Sequence, residues 1–237
     1  MIVTALIACY NEADILRAML RHWIQRGMFA YVLDNWSDDG SYEIALSEPG
    51  VAVERWPSHP IDTFEWGAML DHFQQRLREI PSDWFSLSGA DHYLAAPDGG
   101  DDVLAAIAEA DRLGYNALEM IHRNFTPPDD TFVSGDPVAT FNRHYYDSPG
   151  FLCDTWKKLP GITPDLRGQG GHDVRFPGRR VFPRKFIRQH YPIRSQAHGE
   201  RKVFRERRPR WSDAERAIGW HVQYDDVEPG HVWVIQS

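Results

Sequence analysis

Residues 2–8 are a continuous apolar run rich in β-branched side chains, and the run stops at Cys9-Tyr10-Asn11-Glu12. An unbroken apolar run of this length fits a strand buried on both faces. Similar runs follow. Residues 30–33 end in Asp34-Asn35-Trp36-Ser37-Asp38-Asp39-Gly40-Ser41, and residues 84–87 end in Ser88-Gly89-Ala90-Asp91-His92. Further strands are expected at 51–55 and 117–121. Helical patterns separate them. Ile15, Met19, Leu20 and Trp23 share one helical face, with Asn11 as the expected N-cap, Asp14 in the first turn and Gly27 at the end. A short helix is expected at about 41–46. Asp62 and Glu65 make a capping-box pattern for a helix at about 63–79, and residues 101–113 are an Ala-rich helix. This alternation predicts an α/β fold of Rossmann type, a mainly parallel sheet flanked by helices. Ligands of such sheets bind beyond the carboxyl ends of the strands, where three of these polar loops sit.

After residue 123 the periodicity weakens, and Gly and Pro alternate with aromatics from 127 to 183. The second half therefore reads as loop-rich and folded onto the first. Ser212 and Glu215 suggest a capped last helix reaching about residue 220, and 232–235 suggest a final strand. Charge divides along the same line. Residues 1–150 carry 9 Lys/Arg against 24 Asp/Glu, whereas residues 151–210 carry 16 against 5. The overall charge of -8 argues against a generic nucleic-acid binder, while the split fits a site for a metal together with an anion. Cys9 and Cys153 form no CxxC pair and no disulfide framework, which suits a reducing compartment. No basic leader and no stretch near ~20 apolar residues is present. A cytoplasmic protein is expected, with peripheral membrane association through the basic segment left open.

Four groups of residues could carry chemistry. Asp34, Asp38 and Asp39 could accept hydrogen bonds from a ribose or base, or simply make a turn. Asp91 with His92 could hold Mg²⁺ or Mn²⁺, or form a polar loop. Gly168-Gln169-Gly170-Gly171-His172-Asp173 could let backbone approach a ligand and supply a base, or be a surface turn. His190-Tyr191-Pro192-Ile193-Arg194-Ser195, with Arg201 and Lys202, could meet a diphosphate and its metal, or be a solvated basic face. Trp36 could stack on a base or pack, and Trp156, Trp211 and Trp220 could line an acceptor groove.

Taken in order, these segments resemble glycosyltransferase family 2-like proteins. Residues 8–15 resemble that family's opening NExxxI element, residues 33–41 its DNxSxDGT loop, and WFSLSGADHYL its WxxxxDxDEFL segment. Gly171-His172-Asp173 and residues 190–195 resemble its later GxHd and HYxxRS elements. The resemblance implies a single GT-A-like domain over 1–237: a nucleotide-binding half at about 1–122 and an acceptor/diphosphate half at about 123–237. It implies transfer of a sugar from a nucleotide diphosphate sugar, with UDP-sugars favoured, to a glycan, lipid-linked or protein acceptor. By match, Asp34 would contact base or ribose, with Asn11, Glu12 and Asp39 around it. Asp91 would hold a divalent cation, Mn²⁺ or Mg²⁺, completed by His190, and Arg194 would face the diphosphate; beyond the match, His92 is a further candidate ligand and Lys202 a further candidate for the diphosphate. If the reaction inverts, a base is needed: Asp173 or His172, with Asp136 behind them. The sequence departs from the pattern at Gly89, where the family has the first Asp, and at His92, where it has Glu. Two other readings remain: a metal-dependent hydrolase or nucleotidyltransferase, although no HExxH spacing occurs, and a polyanion binder using residues 175–210.

Overall fold

The computed structural model describes residues 1–147 and 152–234. Four strands open the chain: β1 (Val3–Cys9), β2 (Phe29–Asp34), β3 (Val51–Arg55) and β4 (Trp84–Gly89). They lie side by side in the order β3-β2-β1-β4, all parallel. β1 shows why its sequence is unbroken apolar. Successive side chains point to opposite faces. Val3, Ala5 and Ile7 enter one core, with α1 (Leu16–Gln25) and α4 (Val103–Arg112). Leu6 enters the other, with α3 (Trp66–Arg76). Trp23, read as core, is fully buried, and α2 (Ser41–Ser47) joins β2 to β3.

The rest of the chain adds five more strands: β5 (His92–Ala95), β6 (Ala117–Phe125), β7 (His144–Asp147), β8 (Thr155–Lys157) and β9 (Val181–His190). β8 runs antiparallel between β4 and β6, β6 and β9 are parallel, and β5 closes the edge. β7 pairs with β6 beyond β8. One sheet thus runs through both halves. Three short helices complete the fold: α5 (Pro137–Thr140), α6 (Gln196–Arg201), which continues into a π-helical turn over Lys202–Arg207, and α7 (Asp213–Ala217). No helix among the described residues is long and apolar enough to cross a membrane.

Several expectations are corrected. Asn11 does not cap α1. It adopts a left-handed backbone (φ 55°), and the helix begins at Leu16. Its amide instead accepts from the Asp38 N–H and donates to Glu206, which ties the first loop to the end of the chain. Glu215 does not box its own helix. Its carboxylate accepts the N–H groups of Trp66 and Gly67, satisfying the open N-terminus of α3 in place of Asp62. Within the half expected to be loop-rich, residues 181–190 form a ten-residue strand. Residues 232–234 are not in a strand, and Ile235 lies outside the described residues.

Candidate functional site

The polar loops at the carboxyl ends of β1 and β4 open onto a cleft of about 540 Å³. Asp91, His92, His122, His190 and Lys202 line one part of it, and Trp66, Trp211, Trp220 and Tyr224 line another. Trp156 is buried in β8 against Phe85 and does not line this cleft.

Buried charges join the two ends of the chain beneath the cleft. Lys202 Nζ donates to Glu12 Oε1 at 2.9 Å and to Asp91 Oδ2 at 3.0 Å. Arg194 donates to Glu12 at 2.5 Å and clasps Asp14 through two nitrogens at 2.7 and 2.8 Å. Arg207 reaches Glu12 at 3.3 Å. Burial opposes the charge on Asp91, but Lys202 and His190 outweigh it and hold the carboxyl well below its ordinary range. Burial likewise opposes ionisation of Glu12, and Arg194 and Lys202 lower its pKa nonetheless. Lys202 keeps its proton for the converse reason: burial would lower its pKa, and Asp91 with Glu12 raises it. Ions this deep persist only because each is paired. The Glu12, Asp14 and His198 side chains also lie close enough to share a cation, but Arg194 and Lys202 already occupy the two carboxylates.

The histidines come from strands. Register sets His92 of β5 opposite His190 of β9, and His190 opposite Asn124 of β6. His190 Nδ1 lies 2.7 Å from Asn124 Oδ1, and its Nε2 lies 3.5 Å from Asp91 Oδ2. His122, two residues before Asn124 on the same face, is the functional residue that sequence reasoning missed. Burial, with His190 close by, pushes the pKa values of His92 and His122 well below the ordinary imidazole range. Under them Arg188 is 1% exposed and pairs with buried Asp154, with a further bond to Ser86 Oγ.

This arrangement offers a magnesium ion few protein oxygens, so water or phosphate would have to supply most of its shell. Gly89 supplies no carboxylate, and Asp91 Oδ1 lies only 2.7 Å from where a Cβ on residue 89 would stand. Asp91 is the lone carboxylate among the histidines, and Lys202 already holds one of its oxygens. Mg²⁺ wants six oxygens in near-octahedral array.

The nucleotide-loop residues divide in two. Asp39 bonds Ala13 N–H, Ser41 N–H and Ser41 Oγ, and so staples the loops after β1 and β2 together. Asp34 is fully buried; its Oδ2 accepts the Ser37 N–H while its Oδ1 has no partner. Burial raises its pKa. Beside it, the Arg55 guanidinium lies over the rings of Trp36 and Tyr42 at 5.0 and 4.4 Å. Trp36 itself donates to Pro57 O.

Of the three candidate bases, His172 alone lines the cleft. Burial lowers its pKa against the pull of Asp154, so the ring stays neutral. Asp173 is clamped by Arg175 and Arg179 at 2.7 and 2.5 Å. Asp136 caps α5 by accepting from Val138 N–H. Neither is brought to the cleft. Gly168 serves the chain itself, since a Cβ there would stand 2.1 Å from the Asp173 carbonyl oxygen, whereas Gly170 lines the cleft.

No family model matches the chain, and no curated protein matches it. Among solved structures, the 1–349 fragment of S. aureus TarS is similar at TM-score 0.48 and 13% identity, over 81% of this chain and 60% of that one. The same fragment in complex with UDP gives 0.46 and 12%, over 81% and 61%. Mannosyl-3-phosphoglycerate synthase from Rubrobacter xylanophilus gives 0.38 and 20%, over 52% and 41%. The chain thus spans about 60% of the TarS fragment it resembles.

Proposed function

We propose that the cleft transfers a sugar from a nucleotide diphosphate sugar to an acceptor hydroxyl. One observation carries this reading. Glu12, Asp91 and His190, which lie in segments that resemble glycosyltransferase family 2-like proteins, meet Lys202 in one connected group at the carboxyl ends of the strands. In the reaction, His172 takes the proton of the acceptor hydroxyl, the acceptor oxygen forms the new bond to the anomeric carbon, and the bond to the diphosphate oxygen breaks with its electron pair. Lys202 and Arg207 meet the charge that develops on that oxygen. Donors preorganised in this way lower a barrier because they need no rearrangement at the moment of reaction. Asp34 Oδ1 is the acceptor for a ribose or base hydrogen once Arg55 moves aside. The aromatic rim at Trp66 and Trp220 is apolar surface on which an acceptor can rest.

The three-histidine cluster favours a second reading, hydrolysis of the same nucleotide-linked class. The basic stretch 175–210 supports a polyanion surface less well. Arg188, Arg194 and Lys202 are buried, and Arg184 and Lys185 pair with Glu109 and Glu119. A thermal-shift panel of UDP-, GDP-, CMP- and dTDP-sugars, followed by product analysis, tests the proposal, because a ligand that binds only the folded state raises its stability. Stabilisation by one nucleotide class together with a glycosylated acceptor is expected. Free sugar alone would favour hydrolysis, and no stabilisation by any nucleotide would overturn both readings.

A further inference from the structure

Three imidazoles face one another in the cleft, and bonding within the protein leaves their nitrogens incompletely used. The ring centroids of His92, His122 and His190 are 4.7 to 5.0 Å apart in every pairing. One nitrogen from each ring lies within 4.8 Å of the chosen nitrogens of the other two. The residues stand on three different strands, so sheet register and not loop conformation holds the triangle.

Two of the rings are already poised as ligands. His122 is 7% exposed, and its Nε2 has no hydrogen-bond partner, an unfavourable state for a buried polar atom. His190 Nδ1 lies 2.7 Å from Asn124 Oδ1, and with that nitrogen donating to Asn124 the neutral ring would turn Nε2, now 3.5 Å from Asp91 Oδ2, to an ion. Metal-binding histidines are held in this way, one nitrogen donating to a fixed oxygen and the other facing the ion.

We propose that His92, His122 and His190 bind one divalent ion of the borderline class, Zn²⁺ or Co²⁺, in preference to Mg²⁺. Imidazole nitrogen suits these ions, and three protein ligands leave a coordination position open to the cleft. One rearrangement is required: the His92 ring gives up the hydrogen bond that its Nδ1 accepts from Gly89 N–H at 2.9 Å. Three neutral ligands leave both charges of the ion uncompensated by them. Glu12, Asp14 and Asp91 are already matched by Arg194, Lys202 and Arg207, so an anion entering the cleft would meet this ion as its unmatched cation. The metal site stands whether or not that anion belongs to a nucleotide sugar.

The test is a titration of the full chain with Co²⁺ in the absence of nucleotide, followed by visible ligand-field absorption and by competition. One equivalent is expected to saturate the protein, with displacement by Zn²⁺ and none by excess Mg²⁺. His122→Gln should weaken Co²⁺ by more than ~100-fold, beyond the ~10–100-fold typical of residues that only orient a ligand. Asn124→Ala should fall within that lower range, and His92→Asn, tested in parallel, should behave as His122→Gln does. Circular dichroism melts identify any variant that fails to fold, in which case the remaining variants decide. Absence of saturable uptake, displacement by equimolar Mg²⁺, or wild-type affinity in the folded histidine variants would overturn the site. Nucleotide plays no part in these measurements, so their failure is distinct from failure of the transfer reading.

Discussion

The parallel block β3-β2-β1-β4 and the group β6-β9-β5 share one sheet but place their polar residues differently. In β1, β2 and β4 the buried residues are mainly apolar or small, and charge waits until the strand ends, as at Glu12, Asp34 and Asp91. In β6 and β9, His122 and Arg188 stand inside the strands themselves, and the paired ends of β5 and β9 bring His92 and His190 beside them. The first block gets its stability from burial of apolar surface and keeps function in its loops. The second builds function into its framework, so the two cannot be altered separately there.

That contrast is open to direct attack. The largest effect is expected at Arg188, whose pair with Asp154 is almost wholly buried on both sides. Arg188→Met should cost about 3–5 kcal/mol by chemical denaturation, because a buried carboxylate is left alone. Arg188→Met with Asp154→Leu should recover most of that loss. If the single change costs no more than an exposed pair would, β9 is not a charged framework.

A next-largest effect lies at His22, where α1 of the first block meets β5 of the second. Its Nε2 donates to Leu94 O at 2.8 Å, and its ring stands edge-on to Tyr93. Burial, with Arg26 nearby, lowers its pKa to about 4, while Leu94 O and Asp101 pull the other way. The unfolded chain takes up a proton near pH ~6.5 and the folded chain resists until about 4, so stability falls as pH drops through that window. Wild type should lose roughly 3 kcal/mol more than His22→Gln between pH 7 and pH 4. Equal losses would mean that the junction between the blocks is wetter than its geometry implies.

The smallest of the three effects concerns a loop of the first block alone. Asp34→Ala should weaken nucleotide binding by about 10- to 100-fold, as for loss of a charged hydrogen bond, while leaving the melting temperature close to wild type. A large loss of stability instead would show that this block, too, hides structure in its charges.

The same contrast governs what the sequence reveals. The runs at 2–8, 30–33 and 84–87 are legible because a strand buried on both faces leaves no other pattern. β9 is not legible in that way. VFPRKFIRQH mixes Arg184 and Lys185, which face solvent, with Arg188, which faces Asp154, and charge alone does not tell a solvated residue from a paired buried one. His122 escaped notice for a related reason: polar residues were sought at strand ends, and it lies inside β6. The available signal was its period-two relation to Met120 before it and Asn124 after it. Asp173 and Asp136 illustrate the opposite case. Both residue types could serve as bases, but nearby arginines and a helix terminus, respectively, engage them. Glu215 shows that a capping pattern three residues long cannot reveal which helix end it will serve.

The Glu12 carboxylate has consequences for how the chain is made. Its partners Arg194, Lys202 and Arg207 lie 182, 190 and 195 residues further on. While a ribosome is still threading the second half, β1 and its neighbours can collapse, but Glu12 must remain hydrated because no cation has yet arrived. The first loop is therefore finished last. Contacts of such long range close slowly, and a nascent chain arrested before residue 194 would carry an open, acidic mouth that synthesis of the final segment is needed to close.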